Sequence, residues 1–104
     1  MATVTRTGNF VNISAIAADV SMQDIFQTAN DVKVKRMEFI VGSANDVIVI
    51  KNGSDSSAEI CRLGSASAAE ADRIYFQGGQ LMKPFIDFSA CTLNAGHKLI
   101  IELG

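Results

Sequence analysis

Val47-Ile48-Val49-Ile50-Lys51-Asn52-Gly53-Ser54 decides how this chain folds. Four consecutive apolar residues, three of them β-branched before Ile50 adds a fourth, suit a pleated surface better than a helix. They run into Asn52-Gly53, a strong hairpin dipeptide. The polar residues that continue to Ser57 allow a longer loop instead. Ala58 to Leu63 then reads as the returning strand.

The same texture recurs along the chain. Short β-type runs alternate with clusters of Gly, Asn, Asp and Ser about every 10 residues, which is the all-β pattern. Phe10 to Ile16 places Val11, Ile13 and Ala15 on one parity. Val32 to Val41 is the longest strand candidate, but Val32 and Val34 share one face while Met37, Phe39 and Val41 share the other. A β-bulge near Lys35-Arg36 reconciles the two halves. Asp72 to Phe76 is a strand, Gln77-Gly78-Gly79-Gln80 a turn, and Leu81 to Phe88 a strand marked by Pro84 as an edge, a strand start or a bulge. Phe88 to Leu93 continues extended. Asn94-Ala95-Gly96 is a tight turn into Lys98 to Leu103, where Leu99, Ile101 and Leu103 face inward. Ser21 to Thr28 reads in two ways. A short strand is preferred, against a short helix with Met22, Ile25 and Phe26 at helical spacing after a Ser21/Asp24 capping pair.

Seven to eight short strands in one chain need two packed sheets or a closed barrel. The expected fold is all-β, a small antiparallel β-sandwich that is jelly-roll-like. Residues 1–31 are read as an N-terminal arm with the first strand or strands, placed to contact a neighbour. Residues 32–104 form the core of a single sandwich domain.

The composition narrows the function. Nine Lys/Arg against eleven Asp/Glu in 104 residues give a net charge of -2, without the basic footprint of a nucleic-acid binder. Lys33, Lys35 and Arg36 cluster on one strand, where edge protection or an ion pair to another protein explains them better than RNA does. The start Met1-Ala2-Thr3-Val4-Thr5-Arg6 has no apolar core of signal-peptide length, and no apolar run approaches a membrane span. The expectation is a protein made in the cytoplasm, without membrane partners. Cys61 and Cys91 have no metal-site spacing and read as two reduced, buried thiols. His97, the one histidine, is expected to be an exposed turn residue with no nucleophile to serve. The carboxylates are scattered over several turns and strands, and the Asn52-Gly53-Ser54-Asp55 tip lacks the order of a calcium loop. No Gly-rich loop leads from a strand into a helix. We therefore expect no catalytic residues, no cofactor and no metal: the chain is not an enzyme.

Hydrophobic residues make up 48% and charged residues 19%, the latter below the roughly 25% of an average domain. If Val47 and Val49 face the core, Ile48 and Ile50 point outward, and with Ile40 and Ile100 they make an apolar patch of a size that monomers seldom expose. Covering about 400 Å² of it would contribute on the order of 10 kcal/mol before association costs. The patch is expected to meet another subunit, or to be covered within the chain by the arm or by Ser21–Thr28. The interface candidates are Thr3, Val4, Phe10 and Asn12 with Ile48 and Ile50.

From Val32 to Leu103 the order of elements resembles small β-sandwich virion proteins of tailed bacteriophages, the capsid decoration or cement type. The resemblance is carried by Val34-Lys35-Arg36-Met37-Glu38-Phe39-Ile40, Asp46-Val47-Ile48-Val49-Ile50-Lys51, the polar tip with its return Ala58-Glu59-Ile60-Cys61, Gly78-Gly79-Gln80-Leu81-Met82-Lys83-Pro84-Phe85-Ile86, and Leu93-Asn94-Ala95-Gly96-His97-Lys98-Leu99-Ile100-Ile101-Glu102-Leu103. It is a pattern of elements over about two-thirds of the chain, with no invariant motif, and it brings no catalytic residues. It implies a structural virion protein bound outside a phage head, partnered with the major capsid protein and with itself, often as a homotrimer. The alternatives are another virion part (a head fibre base, tail component or baseplate adaptor), a non-viral assembly subunit, or a sugar-binding β-sandwich. The last is disfavoured by the lack of Trp and the single Tyr75.

Overall fold

A computed structural model describes residues 2–28, 30–67 and 70–104. Eight strands are present: β1 (Thr3–Thr7), β2 (Phe10–Ser14), β3 (Val32–Ile40), β4 (Val47–Asn52), β5 (Glu59–Gly64), β6 (Ala71–Met82), β7 (Pro84–Ile86) and β8 (Lys98–Leu103). The same described residues also form one five-residue helix, α1 (Met22–Phe26), and a 3-10 turn (Phe88–Ala90). One sheet has the order β1-β2-β8-β3-β6 and the other β5-β4-β7, and every pairing is antiparallel. Val20 bridges Ile86 through two backbone hydrogen bonds and stands as the rudiment of a strand beside β7. The pairs β2–β8, Val20–β7, β3–β6 and β4–β5 are therefore nested one inside the next. That is the order produced by rolling one long hairpin into two layers, the jelly roll.

The hairpin β1–β2 belongs to this sandwich. Thr3 pairs Ser14 and Thr7 pairs Phe10 across a two-residue turn at Gly8-Asn9, while β2 also pairs β8. Val11 and Ile13 are fully buried in the common core. The boundary expected at residue 31 thus does not separate an arm from the core. Residues 1–31 supply an edge strand, an interior strand and α1.

α1 replaces the strand preferred for Ser21–Thr28. The Ser21 hydroxyl accepts from the Asp24 N–H (3.3 Å), and Asp24 accepts in return from the Ser21 N–H (3.0 Å). This reciprocal cap satisfies two otherwise orphaned donors. Met22, Ile25 and Phe26 then fall on one buried face, and Gln27 ends the helix in the left-handed region. Local capping outweighs the weak β-pattern of so short a segment.

The bulge expected on β3 is present. The register shifts between Val34 and Arg36 against both neighbours, so Val34, Met37 and Phe39 all reach the core. The partner strand bulges too. Val34 faces Gln80 while Arg36 faces Tyr75, and the extra residues of β6 include Gly78 and Gly79 at φ +76° and +82°. Gln77–Gln80 is therefore a bulge inside one long strand and does not reverse the chain. Glycine is favoured there by the positive φ, which L-residues seldom adopt. Pro84 opens the short edge strand β7, where its missing N–H is tolerated.

β4 is oriented opposite to expectation. Ile48 and Ile50 are fully buried within the core, so neither lies on the surface. Val47 and Val49 take the outer face. Val49 is nonetheless 0% exposed, because residues 87–92 pack along β4. The Val49 N–H donates to Cys91 Sγ (3.2 Å), the Asp87 N–H donates to the Val49 carbonyl (3.3 Å), and Thr92 bridges Val47. Phe88–Leu93, expected to run straight on, instead turns at Phe88–Ala90 to make this cover. The outward patch proposed at Ile48 and Ile50 does not exist. The chain's own later segment, and neither of the two expected ones, hides the outer side of β4. Asn52–Ser57 forms the longer of the two expected loops, closed by the Asn52 N–H to the Ala58 carbonyl at 3.0 Å.

Because Ile48 is interior, Ile48→Ala is expected to lower unfolding free energy by about 2–5 kcal/mol in urea melts. An outward Ile48 would cost within about 0.5 kcal/mol.

Candidate functional site

The buried polar groups serve the fold. Asp46 is 0% exposed and accepts from the N–H groups of Gly42 (3.2 Å), Ser43 (3.1 Å) and Asn94 (3.0 Å) and from the Asn94 amide. Burial opposes its ionisation, but the Asn94 side chain and the three backbone donors prevail and hold the carboxyl below the usual carboxylate range. One carboxylate thus fastens the β3–β4 turn to the turn that precedes β8. Gly42 sits in the same corner, where a Cβ would approach the carbonyls of Ala95 and Asn94 to 2.6 Å.

His97 lies beside this knot, 7% exposed, which corrects the expected exposed turn histidine. Its Nε2 accepts from the Ile16 N–H (3.0 Å), so Nδ1 is the donor, to the Asn94 carbonyl at 2.7 Å. Both ring nitrogens are engaged by backbone groups, and no nucleophile bonds to either.

Asp87 bonds Lys51 Nζ (2.7 Å) and the Ser89 hydroxyl (2.9 Å), and these partners hold its carboxyl low against its burial. Cys61 and Cys91 are both free thiols. Burial pushes Cys61 up to about 12 and raises Cys91 as well, so neither is an activated nucleophile. Among the described residues no three His, Cys, Asp or Glu side chains are grouped to hold a metal ion. Among the same residues no helix is long and apolar enough to cross a membrane. The Asn52–Ser57 tip is tied by its own bonds, Lys51 Nζ to the Asp55 carbonyl and Ser54 to Ser57.

The surface that remains is the outer face of the five-stranded sheet. The register aligns Phe10, Glu102, Arg36 and Tyr75 in one row across β2, β8, β3 and β6, and Asn12, Ile100, Glu38 and Arg73 in the next. At the usual strand spacing Phe10 and Tyr75 stand about 14 Å apart. They are 42% and 69% exposed. Between them, Arg36 bonds Glu102 (3.0 Å) and Glu38, and Glu38 also bonds Arg73 (3.3 Å). Burial works against the Glu38 charge, yet Arg36 and Arg73 keep its carboxyl below the usual range, and Glu102 with Glu38 raises Arg36. The result is a charge-balanced ladder with an aromatic ring at each end, a surface suited to lie on another surface rather than to enclose a substrate.

Thr3, Phe10 and Asn12 project on this face. Val4, opposite Ile13, lies on the inner side, half-buried against the core. Ile48 and Ile50 are remote from it, in the interior. Arg36 does not guard a sheet edge as its cluster suggested, because β3 lies between β8 and β6. Tyr75 was not among the sequence candidates. The signal was available in the alternation Ile74-Tyr75-Phe76, which turns Tyr75 away from its two half-buried neighbours.

Asp46→Asn is expected to cost about 1–3 kcal/mol at neutral pH. Since the folded pKa lies below the unfolded one, this carboxylate's contribution is complete above the ordinary carboxylate range and is lost as pH falls through the folded value. Urea melts of both proteins across acidic pH should converge as pH drops, and a gap that stays constant would contradict the assignment.

Comparison with family models, with curated proteins and with solved structures finds no match for this chain.

Proposed function

We propose that this chain is a non-catalytic structural protein of a virion, of the capsid decoration type, which lies on the outside of a phage head and braces the shell. The observation that carries the reading is the outer face of the five-stranded sheet. A ladder of compensated charges flanked by Phe10 and Tyr75 can add a modest contact per copy, and many copies on one particle multiply it. The element order from Val32 to Leu103 supports the same reading by its resemblance to virion β-sandwich proteins. The polar groups that might have served catalysis are committed to turns, which favours binding over chemistry. The major capsid protein is the proposed partner, and self-association the proposed companion state. Within these two rows the charges compensate one another, so their recognition of a partner is left to shape and to the two rings.

Purified protein added to shells assembled without it should bind at fixed stoichiometry and raise the temperature of shell rupture. Tyr75→Ala should lower occupancy while leaving unfolding within about 0.5 kcal/mol, as befits an exposed site. No stoichiometric binding by the unmodified protein would overturn the reading. Specific retention on a glycan array instead would favour the sugar-binding alternative.

A further inference from the structure

β1 is an open edge of the five-stranded sheet. In a two-residue hairpin the flanking pair, Thr7 and Phe10, exchanges both hydrogen bonds, so the bonded pairs continue at Thr5–Asn12 and Thr3–Ser14. The N–H and C=O groups of Val4 and Arg6 therefore point away from β2. Among the described residues nothing bonds them. Open edges are commonly protected by Pro, Lys or a covering element. Here β7 starts with Pro84 and is bordered by Val20, β5 carries Glu59 and Arg62, and β6 is broken by Gly78-Gly79. Among the described residues β1 has no proline, no bulge and no bordering segment, and its one charge is Arg6: Thr3-Val4-Thr5-Arg6-Thr7 is four β-branched residues with a single cation.

Beside this edge runs a groove of about 550 Å³ lined by Ala2, Val4, Asp19 and Asp24. A further hollow of about 260 Å³ takes in Val4, Arg6 and Asp24. The groove thus offers two carboxylates next to Val4, on the side of the sheet that Val4 and Arg6 share.

We infer that the occupant of this edge is β1 of a second copy, paired antiparallel about a two-fold axis at Thr5. Within β1 the open edge groups are those of Val4 and Arg6, so the bonded pairs that β1 itself can make join these residues. The register Val4 to the partner's Arg6 joins all of them in two pairs, and it avoids the Arg6–Arg6 apposition of the next register. Directly opposed residues share a face, so the partner's Arg6 comes to lie beside Val4, at Asp19 and Asp24. Charge and hydrogen-bond register select the same alignment. The two five-stranded sheets become one continuous sheet with both outer faces, each bearing Phe10 and Tyr75, on the same side. The contact is self-complementary and closes at two copies, unlike the trimer that the family resemblance implies. This pairing does not rest on the virion role and can hold or fail without it.

Sedimentation velocity over a micromolar concentration series should show a dimer. Arg6→Pro removes an outward N–H that β2 does not use, so the fold should persist with an unchanged melting curve while self-association weakens about tenfold or more. Arg6→Glu should do the same by facing Asp19 and Asp24 with a like charge. Should either variant unfold, hydrogen exchange of the unmodified protein serves instead: the Val4 and Arg6 amides should slow as concentration rises. A monomer at every concentration, a trimer, variants that assemble as the parent does, or Val4 and Arg6 amides that exchange fast in the assembled state would each overturn the pairing.

Discussion

A strand has two faces, and β4 is apolar on both from Val47 to Ile50. Both therefore have to be removed from water, and the rest of the molecule is arranged around that requirement. Ile48 and Ile50 reach the core shared with Val11, Ile13, Met37, Phe39, Leu99 and Ile101. The outer side is closed by the chain from Asp87 to Thr92, which bonds β4 on the flank that β7 leaves after Ile86. The nested pairing makes this possible, because it returns the chain to β4 late, after β7 and before the crossing to β8.

The corner knot follows from the same path. The chain leaves Thr92 beside Val47 in one layer and enters β8 at Lys98 in the other. Residues 93–97 must cross between layers close to the crossing made by residues 41–46. Two adjacent crossings leave backbone N–H groups that neither sheet can satisfy. Asp46 accepts three of them, and His97 joins the Ile16 N–H to the Asn94 carbonyl. These residues resemble site chemistry by type alone. Their geometry is that of turn closure, and the surfaces proposed to meet partners are the outer face of the five-stranded sheet and the edge of β1.

Much of this was legible in the residues. The strand texture gave two layers, the clean alternation of Leu99, Ile101 and Leu103 gave the inward face of β8, and the parity break gave the bulge near Arg36. The facing of β4 was not legible, because a run apolar at every position carries no period. The covering segment was hidden for a related reason: Phe88 to Leu93 looks extended, and only its bonds to Val49 and Val47 reveal the turn. His97 and Asp46 were invisible as partners because 51 positions separate them and their connection runs through Asn94. For the surface, the alternation of β1 and β2 puts Thr3, Phe10 and Asn12 on the outer face of the five-stranded sheet, and that of Ile74-Tyr75-Phe76 puts Tyr75 there too.

The account depends most on the cover over β4. Native-state hydrogen exchange of the Thr92 amide, which bonds the Val47 carbonyl at 2.8 Å, tests it most directly. If residues 87–92 are an integral cover, Thr92 opens only with the whole fold and shows the same free energy of exchange as the amides of β4. If Thr92 exchanges by cheap local opening while β4 stays protected, the segment is a loose flap, Val49 is not held under it, and the apolar surplus must be hidden in some other way.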